Sequence, residues 1–364
     1  MIIMPMKEKL SPFQASILIY LIQSGVTLFS LPRLVAEAFG TNGWIGLVII
    51  SFIVNINLVL IWFVFKVSKG KSMFEIISIF PKWITLPFSL FIAVVWMLLG
   101  IMVMVKFSMI LKVLFYNNVS LIYFLSMGYI LTYLLLKKDL YQIAKSTVVL
   151  FYFTVWTVFL LAFHLPEFSF IRLTPFIFKG ETDMWKGGMS IFTALLGYEL
   201  SILFVHMIER KQLRSLIAGN SITLLIYFGV TFVSFGFFSF EQLLREMYPV
   251  VTLLGYISFP VLERVENFTF SIFGLKVLMT TVMYLWGSKE LLQYQFKKIK
   301  STFLVIGILI IGFFVSFIPK VIKDVEQWLT YITYAATAIA FLLPILLLIT
   351  VLYTKIMNRK PANE

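Results

Sequence analysis

Apolar residues run along this chain in blocks of roughly twenty, parted by short stretches that carry most of the charge. A bilayer core of about 30 Å takes about that many helical residues. Ten blocks qualify, at about 12–38, 44–65, 84–111, 119–136, 146–163, 186–208, 215–238, 268–289, 302–318 and 331–353. The pattern predicts an all-α integral membrane protein of about ten transmembrane helices, with residues 1–364 as one polytopic membrane domain. The first block opens as a helix entering from water. Ser11 is placed to cap it, Pro12 takes the first helical position where a missing N–H is no loss, and Gln14 closes a capping box. Its short flank, its length and the want of a small-residue cleavage site argue that this block stays in the mature chain rather than leaving as a signal peptide.

Composition narrows the class. With 60% hydrophobic side chains, 13% charged ones and a mean hydropathy of +0.98, the chain is far from a water-soluble globule. The net charge of +13 reports topology rather than nucleic-acid binding. Counting from the N-terminus, alternate connections hold most of the Lys and Arg, among them Lys66, Lys69, Lys71, Lys137, Lys138, Arg210, Lys211, Lys297 and Lys298. The positive-inside rule then places both termini in the cytoplasm, as an even number of spans requires. One outer connection, 239–266, is long, and Glu241 to Phe259 within it reads as a helical lid. There is no cysteine and there are two histidines, so a disulfide framework and a zinc-thiolate site are excluded and a multi-histidine metal centre is not expected. No Gly-rich phosphate loop with Lys and no nucleophile beside a base occurs in the spans, so the chain reads as a non-enzyme needing no cofactor.

Interruptions of the apolar pattern point to a site, because a broken helix survives in lipid only where protein or a wet cavity satisfies the freed backbone. Two blocks are interrupted. In the first, Gln23-Ser24-Gly25-Val26-Thr27 precedes Leu31-Pro32-Arg33; in the sixth, Leu195-Leu196-Gly197-Tyr198-Glu199 sits near the centre. A carboxylate at that depth costs about 2.5–3.5 kcal/mol on insertion scales and normally faces the bundle interior. Breaks in spans one and six are those expected of two five-helix halves related by inverted topology, with a substrate site between them where half-helix N-termini face an anionic group and loose carbonyls a cationic one. An amino acid carries both. The alternative is that Gly25 and Gly197 only permit close packing and Pro32 only kinks.

These residues also resemble a known family. Leu10-Ser11-Pro12-Phe13-Gln14, the run from Gly25 to Leu31-Pro32-Arg33-Leu34 with Ala36-Glu37-Ala38-Phe39-Gly40, and Trp44 look like the spore germination permeases. So do Leu196-Gly197-Tyr198-Glu199, Tyr248-Pro249 and Leu262-Glu263-Arg264-Val265-Glu266. This family supplies the B subunits of germinant receptors and belongs to the wider amino acid, polyamine and organocation transporter superfamily. The resemblance implies a leucine-transporter-like 5+5 inverted repeat with helices one and six broken, in a multi-pass protein of the spore inner membrane. It further implies a small germinant, often an amino acid, in the midplane pocket, and assembly with an A subunit and a lipoprotein C subunit. One departure stands out. Some proton-coupled relatives hold a lysine within span five, whereas here 146–163 carries no charge and Lys145 lies at its edge.

The candidate ligand-binding residues are Gly25, Val26 and Thr27 from span one, and Leu196, Gly197, Tyr198 and Glu199 from span six. Helices three and eight complete the pocket in such folds, which adds Trp96, Gly100 and Val103, at i, i+4 and i+7, and Thr280 and Tyr284, four apart. Packing is the alternative for each of these aromatic faces. Glu199 could receive an amino group or a proton, or hydrogen-bond the unwound first helix, and the last, structural role is the one expected. Arg33 and Glu37, beyond Pro32, read as a latch on one helix face, and Glu263, Arg264 and Glu266 as a gate, an inter-subunit contact or a solvated loop. Lys106 and Lys276 read as snorkelling anchors, and His164 and His206 as interfacial. At least one of Asn55 and Asn57 should bond a neighbouring helix. Three functions fit this reading: a ligand sensor, an amino acid permease working by alternating access, and a structural subunit with a vestigial pocket.

Overall fold

The capping box at the chain's first helix forms as its residues require: Ser11 Oγ accepts from Gln14 N–H at 3.2 Å and Gln14 Oε1 accepts from Ser11 N–H at 3.0 Å. The computed structural model describes residues 9–175, 184–259 and 264–357. Six of its helices are long and apolar enough to cross a bilayer: Trp44–Val67, Lys82–Leu114, Leu140–Glu167, Gln212–Phe237, Val265–Gln295 and Ile322–Met357. A seventh crossing is the pair Gly187–Ala194 and Tyr198–Met207, bent by 51° at its break. Three shorter apolar helices, Pro12–Gln23, Leu121–Leu136 and Ser301–Val315, bring the array to ten spans. The described residues are otherwise helical turns and loops with no strand, apart from one bridge between Leu10 and Ile208.

Both interrupted blocks are broken helices. The first span runs as Pro12–Gln23, releases at Ser24 and Gly25, winds a 3-10 turn over Val26–Phe29 and resumes as Leu31–Phe39. Pro32 lies in the first turn of the second half, where it removes no needed donor. The sixth releases after Ala194 and restarts at Tyr198. Gly197 there has φ +118°, a conformation that L side chains rarely adopt, and its missing Cβ would lie 2.6 Å from Ile22 Cγ2. The two breaks therefore touch, and only a glycine lets them.

A buried polar net fixes this junction. Gln23 donates from Nε2 to the Leu195 carbonyl (2.8 Å) and to Asn220 Oδ1 (3.1 Å), while Thr223 Oγ1 donates to Gln23 Oε1 (2.7 Å). Tyr227 Oη donates to the Gln23 carbonyl at 2.7 Å. Asn220 Nδ2 continues the net to Ser51 Oγ and Asn55 Oδ1, each at 3.0 Å. Asn57 Nδ2 donates to Ala340 O at 2.9 Å, so both span-two asparagines bond neighbouring helices. At the far ends, Leu10 N–H donates to Met207 O and Glu209 N–H to Leu10 O, joining the start of the first span to the end of the sixth.

Several elements differ from the sequence reading. The fifth span starts at Leu140, so Lys145 lies inside the helix rather than at its edge, folded over the Tyr141 ring at 4.3 Å. Its second half, Trp156–Glu167, is wound as a 3-10 helix. The lid is two short helices, Phe240–Arg245 and Pro249–Gly255, anchored by the fully buried Leu243 and Leu253. His164 is buried edge-on to Phe237, and His206 stacks on Phe65.

Glycine chemistry at the two breaks separates them experimentally. At Gly197 an added Cβ meets both a positive φ and the Ile22 backbone, so Gly197→Ala should cost at least about 1–2 kcal/mol. Gly25 has φ −78° and nothing within 4 Å of a built Cβ, so Gly25→Ala should melt with the parent. Thermal unfolding of the two variants in detergent compares them directly, and equal losses would disprove the assignment.

Candidate ligand-binding site

The first span, once released at Gly25, cannot satisfy its own backbone, since the opening N–H groups of a 3-10 turn have no acceptor within it. Beside this turn lies a cavity of about 360 Å³. Gly25, Val26 and Thr27 line it from the first break, and Thr193, Ala194 and Leu196 from the sixth. Leu99 and Val103 close it from span three, Thr280 and Tyr284 from span eight, and Thr330 and Thr333 from span ten. Met247, from between the two lid helices, also reaches it. Seven of the twelve sequence candidates thus share one wall system: Gly25, Val26, Thr27, Val103, Leu196, Thr280 and Tyr284.

The other five stand behind it. Trp96 is fully buried and packs its ring edge against the space above Gly287, and Gly100 meets Tyr284 Cβ and accepts from Thr281 Oγ1 at 3.1 Å. Both serve the crossing of spans three and eight. Gly197 is taken up by its contact with Ile22, and Tyr198 is fully buried edge-on to Phe192. Glu199 corrects its expectation in an informative way. Its Oε2 accepts from the Gly197 N–H at 2.6 Å and its Oε1 from Tyr284 Oη at 2.8 Å, so it caps its own span's break and aims a wall residue, leaving the first helix to others. Thr280 serves that helix instead: its Oγ1 lies 3.1 Å from the Leu21 and Ile22 carbonyl oxygens, at the end of the first half-helix.

Charge gathers at one end of the cavity. Arg33 Nε and Glu37 Oε1 pair at 2.7 Å on one helix face, as their spacing requires, and both line the space. Lys106 is no snorkelling anchor. It is buried, lines the cavity and pairs with Glu326 Oε1 of span ten at 3.1 Å. Glu326 lay outside the apolar block 331–353 because Lys320, Lys323 and Asp324 interrupt the hydropathy there, although the helix starts at Ile322. The usable signal was Lys106 itself, since a lysine deep in an apolar run implies a carboxylate partner. Lys276 is likewise buried rather than interfacial. Arg264 and Glu266 pair with each other at 3.0 Å within their own segment, and Glu263 lies outside the described residues. Among the described residues no cluster of three His, Cys, Asp or Glu is placed to hold a metal.

Solved structures share this architecture. A nucleobase-cation-symport-1 family transporter, Mhp1, in a closed conformation with bromovinylhydantoin bound, superposes with a TM-score of 0.59 at 14% identity, over 92% of this chain and 77% of that one. A manganese transporter of Eremococcus coleocola, in complex with an aromatic bis-isothiourea substituted compound, gives 0.57 at 12% identity over 93% and 78%. Ten spans with the first and sixth broken, on this shared scaffold, define a multi-pass membrane protein of the leucine-transporter-like fold. By sequence, the chain matches the family of spore germination proteins, the spore permeases, over residues 9–325, and it belongs to that family. Spore germination protein GerQB of Bacillus cereus is 22% identical over 320 residues, which cover 86% of this chain and 88% of the relative.

The Glu199 assignment has a measurable consequence. Gln at this position keeps one acceptor oxygen and Leu keeps none, leaving the Gly197 N–H and Tyr284 Oη buried without partners. Glu199→Gln should cost about 1 kcal/mol and Glu199→Leu about 2–4 kcal/mol. Melting of both variants in lipid nanodiscs reads the difference; a Leu variant as stable as the Gln variant would remove Glu199 from the break.

Proposed function

We propose that this chain is the B subunit of a spore germinant receptor, binding a small amino acid-like germinant in the cavity between its two breaks. Family membership supports the germination context. The observation that supports the binding site is Gly25: an extended residue between the two halves of the first span, whose missing side chain would project into open space on the wall of a cavity near the small end of the range for ligand pockets, about 300–1,000 Å³. A zwitterion fits the chemistry around it, which offers backbone groups at the breaks, the hydroxyls of Thr280 and Tyr284, and paired charges at one end. On this reading the protein is non-enzymatic and needs no cofactor. It sits in the spore inner membrane with both termini cytoplasmic. Ligand binding shifts it between two conformations that A and C subunits sense.

The shared fold with transporters favours one second reading, an amino acid permease using the same pocket for alternating access. One set of variants tests both. Gly25→Trp should fill the cavity while the protein still folds, abolishing stabilisation by whichever member of a panel of amino acids, sugars and nucleosides raises the parent's melting temperature. Gly25→Ala should weaken that stabilisation without abolishing it. If the parent in liposomes shows no net uptake of the stabilising compound, the receptor stands. Saturable uptake that Gly25→Trp eliminates would make the protein a permease, and stabilisation that survives Gly25→Trp would place the ligand elsewhere.

A further inference from the structure

Three lysines are buried among the described residues: Lys106, Lys276 and Lys289. Two have carboxylates, Lys106 with Glu326 at 3.1 Å and Lys289 with Glu290 at 2.9 Å. Lys276 has none within salt-bridge distance among the described residues. It is 2% exposed, twelve residues into span eight, and its Nζ donates to Tyr20 Oη at 2.9 Å. The same ammonium lies 5.3 Å from the centroid of the Phe273 ring. Tyr20 in turn stands edge-on to Phe151 of span five, and its carbonyl accepts from the Ser24 N–H and Ser24 Oγ where the helix lets go. One turn along span eight, Thr280 holds the last carbonyls of the same half-helix.

An ammonium without a counter-ion is a poor way to stabilise a bundle, since desolvating it costs several kcal/mol. What it adds is a directional tie, held by the Tyr20 hydroxyl and the Phe273 ring, to a half-helix that already has a pivot at Ser24 and Gly25. Lys276 does not line the cavity, so it acts on the ligand site only through the first span. We propose that Lys276 is a positioning residue: as a cation it locks Pro12–Gln23 in the position that presents the first break to the cavity, and loss of the tie lets that half-helix swing away from spans seven and eight. Whatever fills the cavity, the lock is made by the chain's own residues.

The chain contains no cysteine, which gives a clean reporter. Ser16 is buried on this half-helix, its Oγ 3.0 Å from the Ser215 carbonyl of span seven, so the thiol of Ser16→Cys is shielded until the half-helix moves. Its rate of reaction with a water-soluble maleimide would be measured in nanodiscs in four backgrounds: parental, Lys276→Met, Lys276→Arg and Tyr20→Phe. Lys71→Cys, exposed in the charged connection that follows span two, supplies the unshielded reference rate in each. Lys276→Met should label on the order of tenfold faster, the factor expected from losing one hydrogen bond to a charged group. Tyr20→Phe should label faster too, and Lys276→Arg, which keeps the cation, should label near the parental rate. A folded Lys276→Met that labels as slowly as the parent overturns the proposal, and so does Lys276→Arg labelling as fast as Lys276→Met, because the charge would then be irrelevant. Should Lys276→Met fail to fold, Tyr20→Phe decides alone, since it removes only the acceptor; a parental rate there overturns the tie.

Discussion

Everything at the centre of this bundle depends on the bond from Gln23 Nε2 to the Leu195 carbonyl. A helix that releases its backbone inside a membrane needs new partners for it, and here the first span supplies one to the sixth while Tyr227 of span seven and Thr280 of span eight serve the first. Gln23 is the last residue of the first half-helix, and Leu195 is the first residue beyond the corresponding half of the sixth. Asn220 and Thr223 hold the glutamine's orientation from span seven, and Ser51 and Asn55 hold Asn220 from span two. Such a net acts cooperatively when every member is satisfied and becomes a liability when one is lost. The contact of Gly197 with Ile22 completes the junction by sterics alone.

Around that junction the ionisable groups divide by task. Glu199 faces inward on the break and fixes Tyr284, which in turn forms a cavity wall. Lys106 and Glu326 tie span three to span ten at the cavity's charged end, beside Arg33 and Glu37. The cavity is thus apolar and hydroxyl-lined near the breaks and charge-lined at one end.

The fold was legible because apolar run length and charge spacing dictate how many times a chain can cross a membrane. The breaks were legible because Gly and Pro leave a mark in an apolar run that lipid does not tolerate without reason. The walls were legible only in part. Val103, Thr280 and Tyr284 follow from helical spacing, but the same spacing enrolled Trp96 and Gly100, whose faces turn to span eight. Periodicity assigns a face and leaves the neighbour open. Lys276 shows the limit from the other side: its position towards one end of a helix suggested snorkelling, yet Tyr20, 256 residues away in the chain, draws its ammonium into the bundle.

Gly25 has a consequence for how such a pocket diversifies. Its backbone is extended, at φ −78° and ψ 176°, and any residue adopts that conformation. Because nothing stands within 4 Å of its missing Cβ, a methyl group added there takes volume from the cavity rather than straining the helix. Most binding sites couple a change of specificity to a loss of stability. At Gly25 cavity volume and fold are separable at one codon, so the space beside the first break can narrow without straining the helix that bounds it.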